Sequence, residues 1–188
     1  MTDPFPLTGE PLALDLVNTR TAAGDLLTGP GRLANWLAVQ AERFAEAAEL
    51  LEAGLDEDSL RIVREIRDHT ARALDRLRAG EPPAAEDLAA LVRVQRVAPA
   101  VLDPVWDGAR VVVIRRRTGS LGARLGGWLA EACAEFLADP AVARVRQCAA
   151  DDCVLLFLPA HPRRIWCSPA RCGNRVRVAR HYRRHRAG

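Results

Sequence analysis

Cys148-Ala-Ala-Asp-Asp-Cys153 and Cys167-Ser-Pro-Ala-Arg-Cys172 are two cysteine pairs of equal internal spacing, separated by thirteen residues. Between them, Val154-Leu-Leu-Phe-Leu158 reads as a strand and Pro159-Ala-His-Pro162 as a turn, so that Arg163-Arg164-Ile165-Trp166 returns the chain to the second pair. Such a hairpin closes four thiolates around one tetrahedral Zn²⁺ and leaves no open position. The expected cofactor is therefore a single structural zinc ion held by Cys148, Cys153, Cys167 and Cys172. A segment this short rarely buries enough apolar surface to fold unaided. Metal binding would supply on the order of 10 kcal/mol of its folding free energy.

Disulfides are the competing reading. The N-terminal stretch Met-Thr-Asp-Pro-Phe-Pro-Leu-Thr-Gly-Glu has no basic segment leading into an apolar one, and no run approaches membrane-spanning length. A reducing cytoplasm is then the expected location, where paired cysteines are metal ligands first. His161, between the pairs, or His181 and His185 downstream would be substitute ligands, an alternative that the symmetry of the pairs disfavours. Cys133 has no close cysteine partner and reads as a core thiol.

Charge divides the chain at the same place. Residues 1–143 carry 16 Arg against 22 acidic residues, a net of −6, while residues 144–188 carry 11 Arg against 2 Asp, a net of +9. A basic module behind an acidic domain points to a polyanionic partner. All 27 basic residues are Arg, in the acidic part too, so the choice of Arg over Lys carries no binding signal. With 49% hydrophobic residues, the chain has ample material for a core. The expected organisation is an α+β protein: a helix-rich α/β domain over residues 1–143, then a zinc-ribbon or treble-clef module over 144–188 ending in a basic helix.

Pro11 to Asn18 places Leu12, Leu14 and Leu16 at period two but fits a short helix equally well. Leu33, Trp36 and Leu37 fall at helical spacing and lead into an Ala- and Glu-rich run to Glu52, with Gly54 as the stop. Asp58 or Ser59 would cap the next helix, whose Leu60, Val63, Ile66, Thr70, Leu74 and Leu77 form one stripe. After Gly80-Glu-Pro-Pro83 the helical pattern resumes through Leu88, Leu91, Val92 and Gln95. Val111 to Ile114 reads as a buried strand, Leu121 to Leu137 as a helix, and Val142 to Val145 as a strand entering the first cysteine pair. No phosphate-binding loop, dinucleotide fingerprint, nucleophile elbow or zinc-protease signature is present, and no enzymatic activity is expected. Asp15, Asn18 and His69 are the polar residues of this region to inspect for a ligand site; each is more simply a cap or a satisfied polar group.

Trp166-Cys167-Ser168 followed by Cys172-Gly173-Asn174-Arg175 resembles the CGNR zinc-finger family. Leu12-Ala-Leu-Asp-Leu-Val-Asn-Thr19, with Trp36-Leu37 downstream, resembles the ABATE domain that usually precedes it. The resemblance implies a two-domain bacterial protein and a stress-induced transcription regulator. The hairpin loop Phe157-Leu-Pro-Ala-His-Pro-Arg-Arg-Ile-Trp-Cys167 departs from the family's usual form, which reads Phe-x-Asp followed by Ser, Lys or Arg and ends Arg-Arg-Trp-Cys.

On a helix running from Arg175, the arginines Arg177, Arg180 and Arg184 share one arc, opposite Val176, Val178, Ala179 and Tyr182. The nucleic-acid contacts are thus expected from Arg175, Arg177, Arg180, Arg183 and Arg184. Arg164, Arg171 and Arg175 lie nearest the thiolates and would also offset the −2 charge of a tetrathiolate zinc site. The leading expectation is a DNA-binding regulator whose N-terminal domain senses an unknown small-molecule effector or forms a homodimer. A protein-interaction adaptor and an RNA-binding protein are the alternatives.

Overall fold

A computed structural model describes residue 5 and residues 9–186, without the side chains of residues 180, 181 and 183–186. The architecture is α+β with helices dominant, and among the described residues the strands are confined to three two-stranded antiparallel ribbons. Leu12–Val17 is helical (α1) and buries Leu12, Leu14 and Leu16. A tight β1–β2 ribbon follows, Arg20–Thr21 against Gly24–Asp25. The run expected to continue to Glu52 is instead two helices, α2 (Pro30–Ala41) and α3 (Ala45–Glu52), because Phe44 adopts an extended conformation at the start of α3. Gly54 ends the second with a positive φ of 77°.

Helix α4 (Glu57–Arg78) is the spine of the domain. Its cap is Asp56, whose carboxylate accepts the Ser59 N–H at 2.8 Å, and not Asp58 or Ser59. Its acidic first turn and basic last turn both complement the helix dipole. The expected stripe is buried from Leu60 to Leu74, with Leu77 packed at its edge. Helix α6 (Leu121–Ala138) lies across α4 and α5 (Ala85–Val97). Gly126 and Gly127 permit the approach: a Cβ on Gly126 would sit 2.6 Å from Ile62 Cγ2, and one on Gly127 2.6 Å from the Ala98 carbonyl oxygen. Cys133 is buried in this packing, where desolvation pushes its thiol up to about 12.

The helix expected through Leu88, Leu91, Val92 and Gln95 is present as α5, while the burial expected of Val111 to Ile114 is overturned. Helix α5 presents Asp87, Ala90 and Leu91 inward, leaving Leu88 and Val92 exposed, because the small Ala90 suits close contact and Asp87 takes His69 and Arg72 as partners. Val111–Arg116 is a strand (β4), paired with Val101–Trp106 (β3), but this ribbon is exposed rather than buried. Its β-branched composition selects the extended conformation without specifying a cover. The segment expected as a strand from Val142 is a 3₁₀ turn, Pro140–Arg144, started by Asp139 accepting the Ala141 N–H; Val142 and Val145 still enter the core. Among the described residues, no helix is long and apolar enough to cross a membrane.

Candidate metal centre and nucleic-acid interface

Strands β5 (Arg146–Gln147) and β6 (Leu156–Phe157) form the third ribbon, and the Cys148 N–H extends it by donating to the Leu155 carbonyl at 2.9 Å. The first cysteine pair brackets a turn closed by Cys153 N–H to Ala150 O, and Ala149 N–H reaches the returning chain at Ile165 O. Ser168 starts the second turn with its hydroxyl accepting the Arg171 N–H, and Pro169–Gly173 winds directly into α7 (Asn174–Arg186). Gly173 has no positive φ; its lack of a side chain is needed because a Cβ would lie 3.1 Å from Trp166 Cδ1. Hairpin, second turn and helix together make the treble-clef arrangement.

All four sulfurs, of Cys148, Cys153, Cys167 and Cys172, lie within 4.8 Å of one another, and all four residues are buried. The Cys153–Cys167 and Cys167–Cys172 sulfurs are 3.9 and 3.5 Å apart. A tetrahedral ion with Zn–S bonds near 2.3 Å requires sulfur separations of about 3.8 Å, so this donor set fits one zinc ion. Burial pushes the Cys153 thiol up to about 11 and Cys167 upward as well. Burial also opposes ionisation of Cys148, but the N–H groups of Cys167 and Ala150, together with the thiols of Cys167 and Cys153, outweigh it and hold that thiol below its usual value. Four thiolates this close would repel one another without a cation. His161 stands outside the cluster, its Nδ1 accepting the Arg163 N–H. The side chains of His181 and His185 lie outside the described residues.

The arginines divide by what they touch. Arg164 is tied into the fold: it donates to Cys167 O, Trp166 O and Glu10 Oε1 and stacks 4.4 Å over the Phe157 ring. Arg175 pairs with Asp152 at 2.7 Å and directs the same nitrogen at the Cys172 sulfur, 3.5 Å away, which places positive charge against the thiolates. Arg177 is exposed and bonds Gly173 O and Asn174 Oδ1. Arg171 and Arg163 are exposed, with no side-chain partner among the described residues. Arg180, Arg183 and Arg184 belong to α7, but their side chains lie outside the described residues. A groove of about 680 Å³ between the β1–β2 turn and the zinc module is lined by Arg171 and Arg175.

The polar residues singled out in the helical region are satisfied ones, and two of them serve the junction with the zinc module. Asn18 acts as a substitute strand: its amide accepts the Leu156 N–H and donates to the Leu156 carbonyl, both at 2.8 Å. Asp15 is buried and receives the N–H groups of Gly9 and Glu10 and the Arg43 guanidinium at 2.6 Å. Glu10 continues the chain of contacts, accepting the Leu158 N–H and pairing with Arg164 at 2.7 Å. His69 bonds Asp87 within the helical layer. Sequence inspection missed Glu10, Arg43 and the buried Arg67, which pairs with Asp25 through both terminal nitrogens. The available signal was an Arg set within the apolar stripe of α4, flanked by Ile66 and Thr70.

Residues 144–185 match the family model described as "CGNR zinc finger", and residues 10–140 match the ABATE model, described as "Putative stress-induced transcription regulator". No curated protein matches the chain.

Proposed function

Because the chain belongs to the ABATE family and ends in a CGNR zinc finger, we propose that it is a non-enzymatic transcription regulator that binds DNA through the zinc module. The observation that carries this reading is the placement of charge. Nine net positive charges fall within residues 144–188, and helix α7 contains no acidic residue. Zinc would fix the hairpin to the start of α7, so that the helix is presented as a rigid unit. Arg177, Arg180, Arg183 and Arg184 then meet phosphates, and the exposed Arg163 and Arg171 widen the basic surface. Arg175, engaged by Asp152 and Cys172, has the separate task of balancing thiolate charge.

The junction supplies a route from the helical domain to this surface. Asn18 and Glu10 grip β6 and Arg164 directly, so an effector or a change of assembly that shifts α1 would shift the zinc hairpin with it. A mobility-shift titration of the zinc-loaded chain against duplex DNA tests the proposal. Affinity should fall steeply with salt, and replacing Arg177, Arg180 and Arg184 together should reduce the log–log salt slope by about 0.9 for each phosphate that is no longer neutralised. No retardation at low salt, or a slope unchanged by the triple replacement, would sink it.

A further inference from the structure

A cavity of about 350 Å³ opens between α3, the end of β4 and α6, within the size range of small-molecule sites. Part of its lining is committed within the chain: Arg115 and Arg117 pair with Glu131, and Arg116 with Asp103. Arg124 of α6 and Glu46 and Glu49 of α3 also line it, and none of these three has a side-chain partner among the described residues. Arg124 and Glu46 are half-buried. Each has therefore given up part of its hydration without a hydrogen bond or ion pair in return. One turn beyond each lies an apolar residue of the same cavity, Trp128 after Arg124 and Leu50 after Glu46, and both are buried. Phe44 meets the Trp128 ring edge to face, with ring centres 5.8 Å apart, and holds it in place.

We propose that this cavity binds a small zwitterion of the amino-acid class with an apolar side chain. The ligand's carboxylate meets the Arg124 guanidinium, its ammonium group meets Glu46, and its side chain lies against Trp128 and Leu50. The mixture of unpaired charges selects the class. A plain carboxylate would gain Arg124 but lie beside two unpaired glutamates, and a plain amine would gain Glu46 but leave Arg124 unsatisfied. A ligand carrying both charges completes both residues, and the buried Trp128 and Leu50 favour an apolar remainder over a polar one. Each helix supplies one charge and one apolar wall, so the bound ligand would join α3 to α6. As an effector site the cavity rests on the regulator reading; as a binding site it does not.

Isothermal titration calorimetry of the full, zinc-loaded chain with L-leucine, L-phenylalanine and L-tryptophan, in the absence of DNA, tests it. At least one of the three should bind saturably, and Arg124→Gln and Glu46→Gln should each weaken the tightest of them about tenfold or more. Neither side chain bonds another among the described residues, so helix content and zinc stoichiometry should remain those of the wild type. Analogues stripped of one charge tell which residue takes which group. The amine lacking the carboxylate, phenethylamine for phenylalanine, should bind wild type and Arg124→Gln alike. The acid lacking the ammonium group, hydrocinnamate, should bind wild type and Glu46→Gln alike. No saturable binding of any of the three amino acids up to about 10 mM, or binding that both replacements leave unchanged, overturns the site. An analogue with one charge that binds as tightly as its parent amino acid overturns the zwitterion. Because no arm contains DNA, each of these failures leaves the reading of α7 untouched.

Discussion

Leu14, Leu16, Leu33, Trp36 and Leu74 are wholly buried in the helical region, whereas four of the seven buried residues clustered at the zinc site are its cysteines. The helical region has an extensive apolar core to set against the entropy of folding. Beyond its cysteines, the cluster at the zinc site consists of Ala150, Leu155 and Phe157, too little apolar area to do the same. The two cores meet along one strand. Leu155 and Phe157 turn into the zinc cluster, while Leu156, on the opposite face, enters the helical core with Leu158 packed beside it. A period-two alternation thus makes a single segment part of both, and the charge boundary near residue 143 is not a boundary in packing.

Metal removal is the strongest way to break the comparison. Chelation, or Cys167→Ser, should remove on the order of 10 kcal/mol from the module while α2 to α6 stay folded. Trp166 should then report solvent exposure by fluorescence while the far-UV helical signal drops only by the share of α7. Loss of all helical signal in one step would show that the helical region has no independent stability. On the helical side, Asp25→Ala should cost about 3 kcal/mol in urea unfolding, because it removes the bidentate partner of the buried Arg67 guanidinium and leaves it Asp68 and Thr19 alone. Zinc content should not change; zinc loss in that variant would mean the two regions do not differ as described.

Asn18→Ala strikes the seam itself. It leaves the Leu156 N–H and C=O without their side-chain partner in a buried place, at a cost of about 2 kcal/mol or more. Amide exchange at Leu156 and Leu158 should accelerate before exchange in α4 does; unchanged protection there would refute the role given to Asn18. Gly126→Ala should cost about 1–3 kcal/mol by overpacking against Ile62 and Val94, read as a lower Tm with the zinc module unaffected.

These contrasts also explain which parts of the molecule were legible in the sequence. The zinc site was, because ligand chemistry and spacing are local and four cysteines leave few other uses. The α4 stripe was, because its period repeats over about five turns, from Leu60 to Leu77. The exposure of β3–β4 was not: Val111 to Ile114 has the composition of a buried strand, and the body of the protein supplies no cover for it. The seam was hidden for another reason. Asn18 and Leu156 are 138 residues apart, and a side-chain amide pairing with a strand leaves no pattern in either segment.

The smallest expected effect concerns Asp15, on the helical side of the seam. Burial raises its carboxyl from 3.8 to about 6, because the Gly9 N–H, Arg43 and the Glu10 N–H offset desolvation only in part. In the unfolded chain this carboxyl loses its proton near 3.8, so between there and about 6 the folded chain holds a proton that the unfolded chain has lost. The contribution of Asp15 to stability is therefore complete below that window and is lost as pH rises through about 6. Urea unfolding of wild type and Asp15→Asn across the same interval isolates this contribution, since the thiols and the other carboxylates titrate alike in both. The wild type should lose stability relative to the variant as pH rises. Parallel pH profiles would mean that Arg43 neutralises the buried charge in full, and a difference of opposite sign would place the folded carboxyl below 3.8. Glu10 links this network to Arg164, so the same titration should also alter amide exchange in the zinc hairpin. A protection pattern there that ignores the window would confine the ionisation to the helical core.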